Sequence, residues 1–289
     1  MNDAVIVLNY NKSNLIKNII NKFLSFKDMP HLFIVDNKSD DINLPLLKNL
    51  ENNINNNLIH FIYNDSNLGY AKGNNVALNL IYNEFSFDNV FIMNPDVIIE
   101  EEIINYISNF IKNNKDAGVV TIAHVDENFN FNQRQGWDII NYKTEIKTCF
   151  YLGRKSYYKK IPTKFDLDIN KIDVIDGSFF GISLKLFFEI NFFDPNTFLY
   201  YEENIIGYKL KNKGYQNYIL NYKINPIHNH NESITSKIKF RKNWKCYNKS
   251  KKYYCKNYLK INILKRIILN ICIFISNIEA IFIGIFKKI

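Results

Sequence analysis

The chain has 289 residues, 47% hydrophobic and 22% charged, which excludes a disordered polymer and suffices for one large α/β domain plus an appendage. Its net charge of +9 admits nucleic acid, anionic lipid or a phosphorylated ligand as partner, but the Lys and Arg excess lies mainly after residue 236, which argues against nucleic acid. Cys149, Cys246, Cys255 and Cys272 show no CxxC spacing, so they imply neither a zinc knuckle nor a disulfide framework and fit a reducing cytosol.

Residues 4–8 form a short, continuously apolar run that predicts a buried strand. No basic region with a long apolar stretch precedes it, so no secretory signal is read and the chain is expected on the cytoplasmic side. After Asn9, Tyr10 and Asn11 a helix is expected over residues 13–26, and a second apolar strand, 32–35, ends in Asp36. The unit then repeats: strand 59–63, helix 72–82, strand 90–93, helix 101–111, strand 118–122. The Asn run at 52–57 reads as loop. Buried strands alternating with helices predict an α/β fold, a Rossmann-like, mostly parallel sheet with helices on both faces. Residues 126–170 read as irregular, followed by a strand-like segment 174–183, a short helix 185–190 and a helix 202–212. A composition shift near Ser236 divides the chain into a domain, 1–236, with halves 1–125 and 126–236, and a basic helical tail, 237–289. Within that tail, residues 267–286 carry one acidic group, Glu279, between Lys265, Arg266 and Lys287, Lys288. Asn270, Ser276, Asn277 and Glu279 make it a poor membrane span. A helix lying in the bilayer interface is expected, with packing on the domain or a dimer contact as the alternatives.

In open α/β sheets ligands bind beyond the carboxyl ends of the strands, which draws attention to Asn9, Tyr10, Asn11, Asp36, Asn37, Asn94 and Asp96. A carboxylate at Asp96 is suited to a hard divalent cation bridging to diphosphate oxygens, although Asn94-Pro95-Asp96 is also an ordinary turn. Asp36 is placed to accept hydrogen bonds from a ribose or a base, while Asp40 and Asp41 read better as helix caps. Residues 67–75, with Gly69, Lys72 and Gly73, open a helix and allow close backbone approach of a ligand. Glu202 and Glu203 follow the apolar run 198–201. Desolvation and like charge would raise their pKa toward a general base, and an acidic first turn complementing a helix dipole is the other reading. His228 and His230 alternate along an extended segment and share a face, yet lone histidines are also ordinary polar residues.

In this order Val7-Leu8-Asn9-Tyr10-Asn11, Val35-Asp36-Asn37 with Ser39 and Asp40, residues 67–75, Asn94-Pro95-Asp96, Asp176-Gly177, Phe193-Asp194, residues 198–203, Lys213-Gly214-Tyr215, and His228 with Ser233 resemble the family 2 glycosyltransferases. The resemblance covers about residues 4–236 and is nearest the rhamnosyltransferase-like branch of capsule, O-antigen and other polysaccharide assembly. It implies a GT-A fold and an inverting, single-addition transfer from a nucleotide diphosphate sugar (dTDP-rhamnose or a UDP-sugar) to a hydroxyl of a glycan or lipid-linked glycan. It further implies donor contacts from Asn9, Tyr10, Asn11, Asp36, Asn37, Gly69, Lys72 and Asn94, and Mn²⁺ or Mg²⁺ on Asp96 and His228. Asp176 and Gly177 would face the acceptor, with Glu203 as catalytic base and Glu202 in reserve. An enzyme of this kind is expected on the inner face of the cell membrane, with homodimerisation as the alternative use of the tail. The sequence departs from the pattern at Asn94, at the Glu202-Glu203 pair that replaces Glu-Asp, and at Ile205. Gln133-Arg134-Gln135-Gly136-Trp137 is similar to the QxxRW box of processive synthases, but its spacing differs and it precedes the Glu pair. The alternatives are a nucleotidyltransferase, whose Gly-rich basic loop is not seen near the N-terminus, and a non-catalytic nucleotide-sugar binder.

Overall fold

A computed structural model of the chain describes residues 2–131, 134–229 and 237–286, without the side chains of 237–241 and 282–286. Gln133, His230 and Ser233, singled out above, lie outside the described residues. The first half runs β1 Asp3–Asn9, α1 Ser13–Leu24, β2 His31–Asp36, α2 Asn43–Asn53, β3 Ile59–Tyr63, α3 Gly69–Glu84, β4 Asn89–Met93, β5 Val97–Ile98, α4 Glu101–Asn113 and β6 Ala117–Ile122. The second runs β7 Gly136–Trp137, α5 Tyr142–Lys147, α6 Tyr151–Tyr158, β8 Ile169–Ile172, β9 Val174–Ile175, β10 Phe179–Ser183, α7 Leu184–Glu189, α8 Glu202–Asn212, β11 Gln216–Leu220 and β12 Ile227–His228. Two helices follow, α9 Lys237–Asn257 and α10 Ile263–Phe286.

Among the described residues the main sheet has eight strands in the order β3-β2-β1-β4-β10-β6-β11-β8. β1 to β4 are mutually parallel, as is the pair β6 and β11. β10 enters antiparallel between β4 and β6, and β8 closes the edge antiparallel to β11. The sheet is therefore more mixed than the repeating strand–helix pattern implied. The physical cause lies in residues 174–183, expected as one strand. The Asp176 carboxylate accepts from Ser178 N–H at 3.0 Å and breaks the segment into β9, paired with β7, and β10. This turn carries Asp176 and Gly177 to the strand-end rim.

Strand alternation sends side chains to opposite faces. Ala4, Ile6, Phe33, Val35, Val90 and Ile92 meet α3, α7 and α8 on one side. Val5, Val7, Leu32, Ile34, Phe91 and Met93 meet α1, α2 and α4 on the other. Both faces are thus buried, as the unbroken apolar strands require. The helices α5 and α6 correct the expectation of irregular chain over residues 126–170, whereas α2 follows Asp40, whose carboxylate accepts from Asn43 N–H at 2.9 Å as the cap reading expected. α2 buries only Leu47, and α5 and α6 have six and eight residues, too short for an apolar period to stand out.

The residues after 236 share a third core with the second half: Cys149, Tyr201 and Ile205 pack with Tyr254, Cys255, Ile261, Leu269 and Cys272. The Lys251 ammonium, wholly buried, donates to Glu145 O and Thr148 Oγ1, both at 2.9 Å, and lies 3.2 Å from Glu145 Oε2. Ser276 Oγ donates to Cys149 O at 2.6 Å, and Glu279 accepts from Tyr151 N–H at 2.8 Å. No described helix is long and apolar enough to cross a membrane. α10 nevertheless exposes Leu264, Ile267, Ile271, Phe274, Ile278 and Ile281, an i, i+3/i+4 stripe on the side away from the shared core.

Candidate active site

The carboxyl ends of β2, β1 and β4 lie side by side, with Asp36 closing β2 and Asp96 in the turn that follows β4. At the first of these ends Asn9 Nδ2 donates to Asp36 Oδ1 at 2.8 Å and to Ser39 Oγ at 3.2 Å. Asp36, 1% exposed, also accepts from Ser39 N–H at 2.9 Å and from the Ser39 hydroxyl at 2.5 Å. These bonds tie the loops after β1 and β2 together. Asn11, at φ 57°, receives Asp40 N–H on its side-chain carbonyl at 2.8 Å and points its own backbone N–H at Ser39 Oγ. Tyr10 stands half exposed beside them. Asn37 instead fixes the start of α3, because its amide donates to Asn67 Oδ1 and Gly69 O and accepts from Leu68 N–H. Gly69 has φ 79°, and a Cβ there would collide with Phe198 O, which shows why glycine is needed. Lys72, one helical turn on, is exposed.

Beyond β4, Asn94 N–H donates to Ser178 O at 2.7 Å, joining the two halves of the rim. β12 pairs with β5 and places His228 Nε2 3.5 Å from Asp96 Oδ1, so the late histidine does return to the Asn-Pro-Asp turn. Ligand atoms of His124, Asp176 and His228 lie within 4.8 Å of one another, the spacing of a candidate cation site, and Asp96 borders it through His228. Two imidazoles with carboxylates make a mixed nitrogen and oxygen donor set, which suits Mn²⁺ better than the all-oxygen preference of Mg²⁺. His124 escaped the sequence reading because it sits as a lone histidine in the apolar run Ala123-His124-Val125. The available signal was its position at the carboxyl end of β6, on the same rim. Ring nitrogens of His124 lie 3.2 Å from Thr121 Oγ1 and from Ser178 Oγ, which orient the imidazole.

The acidic pair opens α8, as both sequence readings required. Tyr200 and Tyr201 precede it at φ 72° and 75°, left-handed conformations costing about 1–3 kcal/mol each for residues other than glycine. The Tyr201 hydroxyl donates to Glu145 Oε2 at 2.7 Å, and the buried Lys251 holds Glu145 in turn. Glu202 is 2% exposed and enclosed, whereas Glu203 lines a cavity with Asp176. A Cβ on Gly177 would come within 2.9 Å of Glu203 Oε1, so the missing side chain brings this backbone against the carboxylate. Burial, then Glu202 and Asp176, push the Glu203 carboxyl up to about 8, and burial pushes Glu202 up to about 7. Tyr70, assigned no role from sequence, reaches from α3 to donate to Gly177 O at 2.7 Å; burial and then Glu203 hold its pKa well above the usual value. The rim thus gathers a candidate cation cluster, a carboxyl of raised proton affinity, and an adjacent cavity.

The family profile described as Glycosyl transferase family 2 matches residues 4–187. A low-salt glycan biosynthesis hexosyltransferase of Haloferax volcanii is 24% identical over 208 residues, covering 72% of this chain and 61% of that protein. This chain therefore spans less than two thirds of that relative. Among solved structures, GalNAc-T7 with UDP, GalNAc and Mn²⁺ has a TM-score of 0.59 at 13% identity, over 83% of this chain and 47% of the other. The mannosyltransferase of Pyrobaculum calidifontis with GDP-Man and Mn²⁺ scores 0.60 at 13% identity, over 98% and 72%. TarS of S. aureus scores 0.53 at 16% identity, over 92% and 41%. At these identities the likenesses show the fold, which is of the GT-A type.

Proposed function

This chain belongs to glycosyl transferase family 2, and from that premise we propose that it is an inverting, cation-dependent hexosyltransferase acting in surface glycan assembly. The donor is a nucleoside diphosphate sugar, and the acceptor is a hydroxyl of a glycan or lipid-linked glycan. The observation that carries the reading is the juxtaposition of the His124, Asp176 and His228 cluster with Glu203 across Gly177. Asp36 with Asn9 and Tyr10 serves the nucleoside end, and Asp96 and Asn94 serve the diphosphate end. His228, Asp176, His124 and Asp96 would hold the cation. When bound, it supplies positive charge that offsets the charge developing on the departing diphosphate.

Glu203 takes the proton of the acceptor hydroxyl as that oxygen forms its bond to the anomeric carbon. The carbon–phosphate-oxygen bond breaks as the new one forms, the nucleoside diphosphate leaves, and the configuration at that carbon inverts. Glu202, too enclosed to meet an acceptor, keeps its neighbour's proton affinity high through like charge. The related structures hold UDP with GalNAc and GDP-Man, which supports a hexosyl donor, with dTDP-rhamnose or a UDP-sugar as the choice read from sequence. The apolar stripe of α10 is proposed to rest on the inner face of the cell membrane.

Isothermal calorimetry with UDP-, GDP- and dTDP-sugars, with and without Mn²⁺, tests the donor half of the proposal. At least one donor should bind in the presence of the metal and lose at least tenfold in affinity without it, about 1.4 kcal/mol. Binding of none, or binding indifferent to metal, counts against the proposal.

A further inference from the structure

The cavity beside Glu203 has a volume of about 530 Å³ and walls unlike those of the nucleotide rim. Trp137, Tyr157, Tyr158, Tyr200, Tyr201 and Tyr247 line it, drawn from β7, α6, the turn before α8, and α9. Its charged lining is Arg134, which lies over the Tyr158 ring at 4.3 Å, and the two carboxylates Asp176 and Glu203. Trp137 is fixed by donating Nε1–H to Asn204 Oδ1 at 3.0 Å. The hydroxyl of Tyr247 hydrogen-bonds with those of Tyr158 and Tyr201, and Tyr201 is anchored on Glu145. The rings are therefore held in place before any ligand arrives, which lowers the entropy cost of binding.

We propose, resting on the transferase reading above, that this cavity binds the acceptor as an uncharged sugar ring stacked on aromatic faces, and that α9 supplies one wall of it through Tyr247. A pyranose has an apolar C–H face and a rim of hydroxyls. Tyrosine matches both, with an apolar body and a hydroxyl that donates and accepts. An acyl chain would lie against the Asp176 and Glu203 carboxyls and the Arg134 guanidinium, at a desolvation cost. A phosphate-bearing acceptor would meet two carboxylates against one guanidinium. The volume falls within the range of small-ligand pockets and admits one or two sugar rings. The sequence placed α9 outside the catalytic domain, yet Tyr247 faces the same space as Glu203.

Trp137 and Trp244 are the two tryptophans of the chain, so Trp244→Phe in the full-length protein leaves an emitter in the cavity wall. Titration with methyl glycosides of glucose, galactose, mannose, rhamnose and N-acetylglucosamine should change Trp137 fluorescence saturably for at least one, whereas glycerol 3-phosphate should not. Tyr247→Ala should weaken that glycoside roughly tenfold, the worth of one aromatic contact, and Tyr247→Phe, which keeps the ring, should retain most of it. Nucleoside diphosphate binding with Mn²⁺, measured on the same samples, reports separately on the transferase reading. Normal nucleotide binding with no response to any glycoside, or a stronger response to glycerol 3-phosphate, overturns the cavity assignment and leaves the transferase reading standing. A glycoside response without nucleotide binding upholds the cavity assignment and removes the reading on which its role as acceptor site rests.

Discussion

Glu203 combines access to a cavity with a proton affinity lifted by burial and by Glu202 and Asp176. Substitution by Gln keeps the shape and removes the base, so kcat should fall about 10²–10⁴-fold while donor affinity stays near that of the parent. The base must be ionised to act, and its pKa is raised. The rate should therefore climb with pH through a limb lying between the ordinary carboxylate range and about 8, and Glu203→Gln should abolish the limb. Steady-state kinetics from acid to mildly alkaline pH on both proteins checks this; a limb that survives in the Gln variant belongs to another group. At this scale motifs singled out Asp96, Glu203 and His228, residues that the structure brings to one rim. The sequence was silent on His124, and it gave Asp176 to the acceptor rather than to the cluster. His124 reaches the cluster because β6 ends on the same rim, and Asp176 because an Asx turn splits the segment around it. Asn37, read as a donor contact, also holds the start of α3 through its own hydrogen bonds.

Elements were legible in proportion to how strongly burial shaped their sequence. β1, β2 and β4 are buried on both faces and α1 and α4 carry clean apolar stripes, so period and length gave them away. β8 is an edge strand whose residues are exposed or intermediate, and nothing in Ile169–Ile172 marks it. The lysine-rich α9 read as part of a basic helical tail outside the domain because charge is ordinarily outside; Lys251 is the exception, buried against Glu145. For α10 the inner face is held by Leu269, Cys272, Ile273 and Ser276, and the outer stripe is free to meet a bilayer. Replacing Ile271 and Phe274 by Asp should reduce co-flotation with vesicles containing anionic phospholipid more than about tenfold, given about 1.5–3 kcal/mol for each large apolar side chain. Parent protein that does not float, or that sediments as a dimer dispersed by the same substitutions, assigns the stripe to self-association.

Across the whole molecule, the polar rim on β1, β2 and β4, proposed to take the nucleotide, faces an aromatic cavity built from the second half and α9, with the candidate cation cluster and Glu203 where they meet. The order of strands sets this arrangement. Because β10 runs antiparallel between β4 and β6, the turn before it delivers Asp176 and Gly177 to the parallel strands' carboxyl ends. Such a meeting of two sites suits direct displacement, in which the acceptor oxygen approaches opposite the departing diphosphate and no enzyme-bound sugar forms. The anomeric configuration of the product reads that geometry directly. Proton NMR of the transferred or hydrolysed sugar during turnover, before mutarotation, should show a β anomer from an α-linked donor, or the reverse from a β-linked one. A product that retains the donor's configuration would contradict single displacement with Glu203 as base.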